Sequence, residues 1–74
     1  MREDFSIVTM HGNYEVYVEN FVKVLDFGRE VIRIKAKKQI LEISGQELYV
    51  EYMNKEDVKI CGLIENIKFT GVLS

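Results

Sequence analysis

The chain has 74 residues and a mass of 8.7 kDa, room for one domain spanning residues 1–74 and a small, dense core. Twelve acids against ten bases give a net charge of −2, which excludes bulk attraction to nucleic acid or membrane as the basis of function. One cysteine, Cys61, and one histidine, His11, exclude an internal disulfide framework, a multi-cysteine zinc site and a histidine metal cluster within one chain.

Valine and isoleucine number 17 against 6 for alanine and leucine, and proline is absent. β-branched side chains lose rotamer freedom in helices and pack well on a pleated sheet, so the composition predicts strands. No apolar run approaches the roughly 18 residues of a membrane span. Met1-Arg2-Glu3-Asp4 places acids where a signal peptide has bases, so a cytoplasmic location is expected.

Alternation of apolar and polar residues marks the elements in order. Phe5 to Met10 is a first run, followed by turn chemistry at His11-Gly12-Asn13. Tyr14 to Val18 and Val22 to Val24 follow. The whole Tyr14–Phe27 stretch also fits an amphipathic helix through Tyr14, Val18, Phe21, Val22 and Leu25. Its four valines favour strand. Arg29 to Ala36 alternates most clearly, with Ile32, Ile34 and Ala36 on one side. Leu41 and Ile43 lead to a predicted turn at Ser44-Gly45-Gln46. Leu48, Val50 and Tyr52 form the next inward row, and Asn54 to Asp57 reads as a loop. Val58, Ile60, Gly62 and Ile64 alternate, and then three residues separate Ile64 from Ile67. A bulge at Glu65-Asn66 would return Ile67 and Phe69 to the core; a tight turn is the other solution.

Two alternating apolar residues followed by glycine recur as Val8-x-Met10-x-Gly12, Leu41-x-Ile43-x-Gly45 and Val58-x-Ile60-x-Gly62. These glycines either end strands or permit sharp corners around a small core. The expected fold is all-β, a small single-domain sandwich or roll of about six to eight short, mostly antiparallel strands with glycine corners.

Ile43-x-Gly45-x-x-Leu48-x-Val50, then Ile60-x-Gly62-x-Ile64-x-x-Ile67-x-Phe69, preceded by Met10-x-Gly12 and Val16-x-Val18-Glu19-Asn20, resemble the YabP/YqfC family of sporulation proteins from endospore-forming bacteria. The resemblance runs from about Val8 to Phe69. It supplies no catalytic motif. It implies a non-enzymatic role in spore development, in the mother-cell compartment and peripheral to a membrane, beside a membrane-protein partner.

The residues suggest little chemistry of their own. His11 sits in a turn with no nucleophile in evident spacing, and Cys61 has no nameable base. Glu56 and Asp57 are adjacent loop carboxylates, and the five glycines are too dispersed for a phosphate loop. No catalytic residue, cofactor, metal or small-molecule substrate is expected.

Charge placement is more informative. Arg29 to Lys38 holds five bases and one acid, and Glu42 to Asp57 five acids and one base. Pairing of these strands would set opposite charges against each other. Alternatively Arg29, Arg33, Lys35, Lys37 and Lys38 form an outward basic row for anionic lipid or an acidic partner. With Tyr17 and Tyr49 this row is the candidate interaction surface, and Gly12, Gly45 and Gly62 are the structural glycines. The same bases with Tyr17, Tyr49 and Tyr52 could bind single-stranded nucleic acid. Ile60-Cys61-Gly62 is faintly similar to the second motif of Sm-like RNA-binding barrels, without its basic residue before the glycine or polar residue after it. Apolar residues on both faces of Tyr14–Val24 and exposed strand edges favour self-association. The expected function is a non-catalytic scaffold or adaptor, with a small nucleic-acid-binding barrel as the alternative.

Overall fold

The computed structural model describes residues 5–71; the acidic N-terminus at Met1 to Asp4 lies outside them. Six strands follow one another: β1 Ile7–His11, β2 Glu15–Glu19, β3 Lys23–Phe27, β4 Val31–Ala36, β5 Gln39–Met53 and β6 Asp57–Thr70. They form one open sheet in the order β1-β2-β6-β5-β4-β3, with every neighbour antiparallel. The Tyr14–Phe27 stretch is strand on both sides of a short crossover, and no described helix is long and apolar enough to cross a membrane.

β5 and β6, at 15 and 14 residues, are far longer than the others and form the spine. β2 pairs with the start of β6, and β4 with the start of β5, so each short hairpin extends a different half of the spine. In one half, inward rows run Met10–Val16–Ile60–Val50 and Val8–Val18–Val58–Met53 across the ladder. In the other they run Phe27–Ile32–Ile43–Ile67 and Val24–Ile34–Leu41–Phe69. The central members of both sets belong to one buried cluster, so the sheet rolls its halves over a shared core. Each fully buried Val, Ile or Leu there contributes about 1.5–3 kcal/mol.

The roll is closed by the crossover. The Asn20 and Phe21 N–H groups donate to the Glu56 carbonyl at 2.6 and 3.1 Å, and the Val22 N–H donates to the Lys35 carbonyl at 2.8 Å. The tip of the β5–β6 hairpin is thereby held beside the end of β4. Asn20 is buried in a left-handed conformation (φ 65°), and its Nδ2 donates to the Phe5 carbonyl at 2.9 Å. Ser6 Oγ donates to the Asn20 carbonyl at 2.7 Å and accepts from the Lys37 N–H at 3.0 Å, which ties the chain ahead of β1 to the β4–β5 turn.

The bends lie where the spine is irregular. Ser44 pairs with Asn66 and Gly45 with Ile64, so Glu65 is an extra residue and the bulge expected at Glu65-Asn66 is present. It brings Ile67 against the core, while Phe69 ends its row half-exposed. The turn expected at Ser44-Gly45-Gln46 is corrected: these residues continue β5, and the ladder absorbs the bend through bulges. The expectation that all strands are short fails for the same reason. A Cβ on Gly45 would collide with the Leu63 carbonyl, and one on Gly62 (φ 133°) would stand 2.6 Å from the Glu47 carbonyl oxygen. Both glycines are therefore corners inside strands, whereas Gly12 (φ 57°) belongs to the β1–β2 turn. Tyr52 was expected to point inward, but an extra residue at Glu51 opposes it to Lys59 and leaves it 47% exposed.

Candidate functional site

The candidate interaction residues fall on two separate surfaces. Arg33 and Lys35 lie on the outward side of β4. Arg33 stands opposite Glu42 on β5 and is 3.0 Å from Asp26 and 3.9 Å from Glu42. Arg29, in the β3–β4 turn, pairs with Glu47 at 3.0 Å. The opposite charges of the two segments thus face each other as strand pairing demands, and the basic row is partly neutralised. Lys37 and Lys38 form the β4–β5 turn, and with Lys35 they make no ion pair with a described residue.

Tyr17 and Tyr49 lie instead on the outer face of the first half-sheet. There the ladder sets His11–Glu15–Cys61–Tyr49 in one row and Thr9–Tyr17–Lys59–Tyr52 in the next. Across them lies a polar cluster drawn from β2, β5 and β6, which His11 of β1 joins through Glu15. Lys59 Nζ is 3.0 Å from Glu51 Oε1 and 3.4 Å from Glu15 Oε2. The Cys61 thiol donates to Glu51 Oε1 at 3.5 Å, and His11 Nδ1 is 3.2 Å from Glu15 Oε1. The hydrogen bond from Lys59, and then that from Cys61, holds the Glu51 carboxyl below its ordinary range. The bonds to Glu51 and Glu15 push the Lys59 ammonium up in turn. Burial, then the hydrogen bond and charge of Glu51, raises the Cys61 thiol. The neighbouring Cys61 sulfur, with burial and the Glu51 charge, raises the Tyr49 phenol.

Glu15, Glu51 and Cys61 offer ligand atoms within 4.8 Å of one another. The Lys59 ammonium already pairs with both carboxylates, so a metal ion bound by them would compete with it. A raised, buried thiol beside a carboxylate is a poor nucleophile. The arrangement is a satisfied ion-pair network rimmed by Tyr17, Tyr49 and Tyr52.

Among the described residues β1 and β3 each pair on one side alone, and apolar side chains flank each. Phe5, Ile7, Met10 and Tyr14 are exposed along β1 and its flanking residues, and Val22, Leu25 and Phe27 along β3 and the residue before it, with Val31 at the start of β4. A folded surface normally scatters such residues singly, and here they lie along the two edge strands.

Three features escape the sequence. The Glu15–Lys59–Glu51–Cys61 cluster depends on the register of β2, β5 and β6, and its only outward sign is that each member sits at a solvent position of its alternation. The structural role of Asn20 is signalled only by an asparagine between two strand runs, a residue type that tolerates left-handed backbone. The edge position of β3 follows from pairing, not from its own residues.

No curated protein matches the chain. The YabP family model matches residues 3–73, so that the strand series, the corner glycines and the Asn20 crossover all lie within the match, and the chain belongs to the YabP family.

Proposed function

We propose that this protein is a non-catalytic, sporulation-associated scaffold or adaptor that acts through protein contacts, on the cytoplasmic side of a mother-cell membrane. One observation carries the reading. The sheet is open, and among the described residues its two edge strands, β1 and β3, pair on one side alone and are each flanked by exposed apolar side chains. Edge strands recruit other chains by adding strands to the sheet, and the flanking apolar residues supply the area. Membership of the YabP family is consistent with the sporulation setting. The turn lysines Lys37 and Lys38, beside Lys35, supply a local positive patch for an anionic leaflet or an acidic partner segment.

The chemistry of the outer cluster favours contact over catalysis, since Lys59 is held by two carboxylates and Cys61 is kept protonated. A single-strand nucleic-acid platform needs stacking rings and bases along one groove. Here Tyr17 and Tyr49 border Glu15 and Glu51, while Arg33 and Lys35 occupy the other half-sheet, which favours a protein partner.

Affinity copurification from crosslinked sporulating cells tests the reading, with detergent-solubilised membranes and nuclease-treated lysate compared side by side. The expected result is enrichment of one integral membrane protein together with the bait, unaffected by nuclease. Recovery of nucleic acid, with protein partners lost on nuclease treatment, would overturn it.

A further inference from the structure

Resting on the reading of a self-associating protein, we propose that two copies of this chain pair antiparallel through β1, about a two-fold axis at Thr9, and join their sheets into one. The two edge strands are not equivalent. β3 carries Lys23 and Asp26, the latter bound to Arg33, and its register with β4 shifts between Val24 and Asp26, leaving Leu25 as an extra residue. Charges and bulges are the devices that keep an edge from pairing. β1 has neither: Ile7-Val8-Thr9-Met10-His11 contains no acid, lysine, arginine or proline, and its register with β2 runs without a shift.

The backbone of β1 presents the right groups. The Tyr14 carbonyl, just ahead of β2, accepts from the Gly62 N–H at 3.1 Å and the Asn20 N–H, just after it, donates to the Glu56 carbonyl at 2.6 Å, so the even-numbered positions of β2 face β6. Along a strand these groups alternate sides, which turns Glu15, Tyr17 and Glu19 toward β1. Their partners His11, Thr9 and Ile7 therefore face β2, in agreement with the bond from the Tyr14 N–H to the His11 carbonyl at 3.3 Å. The N–H and C=O groups of Val8 and Met10 are left pointing away from the sheet. A second copy centred on Thr9 sets Val8 opposite Met10 in both directions and satisfies all of these groups. On the outer face Thr9 then meets Thr9 and Ile7 meets His11, so no two charged side chains of the same sign oppose each other. On the inner face the rows that begin at Val8 and Met10 continue into the second copy and cover exposed Met10, while exposed Ile7 is covered on the outer face. The choice of a second copy follows from this self-complementarity, since an isologous contact requires one segment to suit itself.

The test is sedimentation equilibrium of the full chain at tens of micromolar, with three variants. The wild type is expected at twice the 8.7 kDa chain mass. Thr9→Lys sets two ammonium groups across the axis and is expected to raise Kd at least about tenfold. Leu25→Lys, on the β3 edge, should leave Kd unchanged. Thr9→Cys in a Cys61→Ala background should yield a disulfide-linked dimer on mild oxidation, because a non-hydrogen-bonded antiparallel pair brings Cα atoms to about 4.5 Å. This crosslink decides the matter even if Thr9→Lys lowers stability. A monomeric wild type would overturn both self-association and the β1 assignment. A wild-type dimer that ignores Thr9→Lys and does not crosslink through the introduced thiol would overturn β1 alone.

Discussion

Gly62 lies directly against Leu48: a Cβ on Gly62 would stand 2.9 Å from the Leu48 Cα, and its φ of 133° is one that residues with side chains rarely adopt. The corner of the spine is thus built from backbone on backbone, with no side chain available to give way. Gly62→Ala is expected to lower stability by about 2–4 kcal/mol, the sum of conformational strain and overpacking. A chain of this length has roughly 4–11 kcal/mol in total. Urea unfolding reads the loss directly, and a variant with the wild-type midpoint would show that the corner can relax.

Asn20 does two separable things at the crossover. Its left-handed backbone turns the chain from β2 toward β3, and its amide satisfies the Phe5 carbonyl. Asn20→Gly keeps the backbone and loses the side-chain bond, an expected cost of about 1 kcal/mol. Asn20→Ala loses the bond and also strains the left-handed position, adding about 1 kcal/mol more. Thermal melts of the two variants should rank wild type above Asn20→Gly above Asn20→Ala. Equal melting of the two variants would remove the backbone part of the argument.

Much of this architecture is legible in the residues, because alternation reports which side of a strand is buried. Ile32, Ile34, Leu41, Ile43, Val58 and Ile60 are all read as inward and are all buried. The extra residue at Glu65 is legible too, since without it Ile67 would face solvent. What alternation does not carry is pairing. Ser44-Gly45-Gln46 has the composition of a turn, yet the bend there is spread over bulges at three places along β5 and β6, so the ladder never breaks. The same bulging reverses Tyr52, whose neighbours give no sign of an insertion at Glu51. Tyr17 and the basic row can be grouped only while the sheet order is unknown; once β2 and β4 lie on opposite sides of the spine, they part.

The Lys59 network sets a pH dependence whose sign is fixed by its partners. Glu51 is held below its ordinary range, so it stabilises the fold above that range, and the contribution is lost as pH falls through its lowered folded-state value. Lys59 is raised, so its contribution is present below the ordinary lysine range and is lost as pH rises through the folded-state value. Urea midpoints should therefore fall on both acidification and strong alkalinisation. Lys59→Met should flatten the acid limb, because the Glu51 carboxyl loses the donor that lowers it. An acid limb of unchanged slope in that variant would assign the effect to other carboxylates.

Cys61 gives the most direct readout of the cluster, since its thiol titrates under opposing influences. Burial and Glu51 push it up, and the Lys59 charge pulls it down. Alkylation by iodoacetamide requires the thiolate, so the native protein should react slowly at neutral pH and rapidly once unfolded. Glu51→Gln removes both the hydrogen bond to the carboxylate and its charge, and should move the pH profile of alkylation to lower pH. Lys59→Met removes the one favourable charge and should move it to higher pH. The opposite signs separate electrostatics from simple loosening, which would accelerate alkylation in both variants without displacing the profile in opposite directions. If both profiles shift the same way, the thiol does not sense the Glu51–Lys59 pair, and the contact between Cys61 and Glu51 is not maintained in solution.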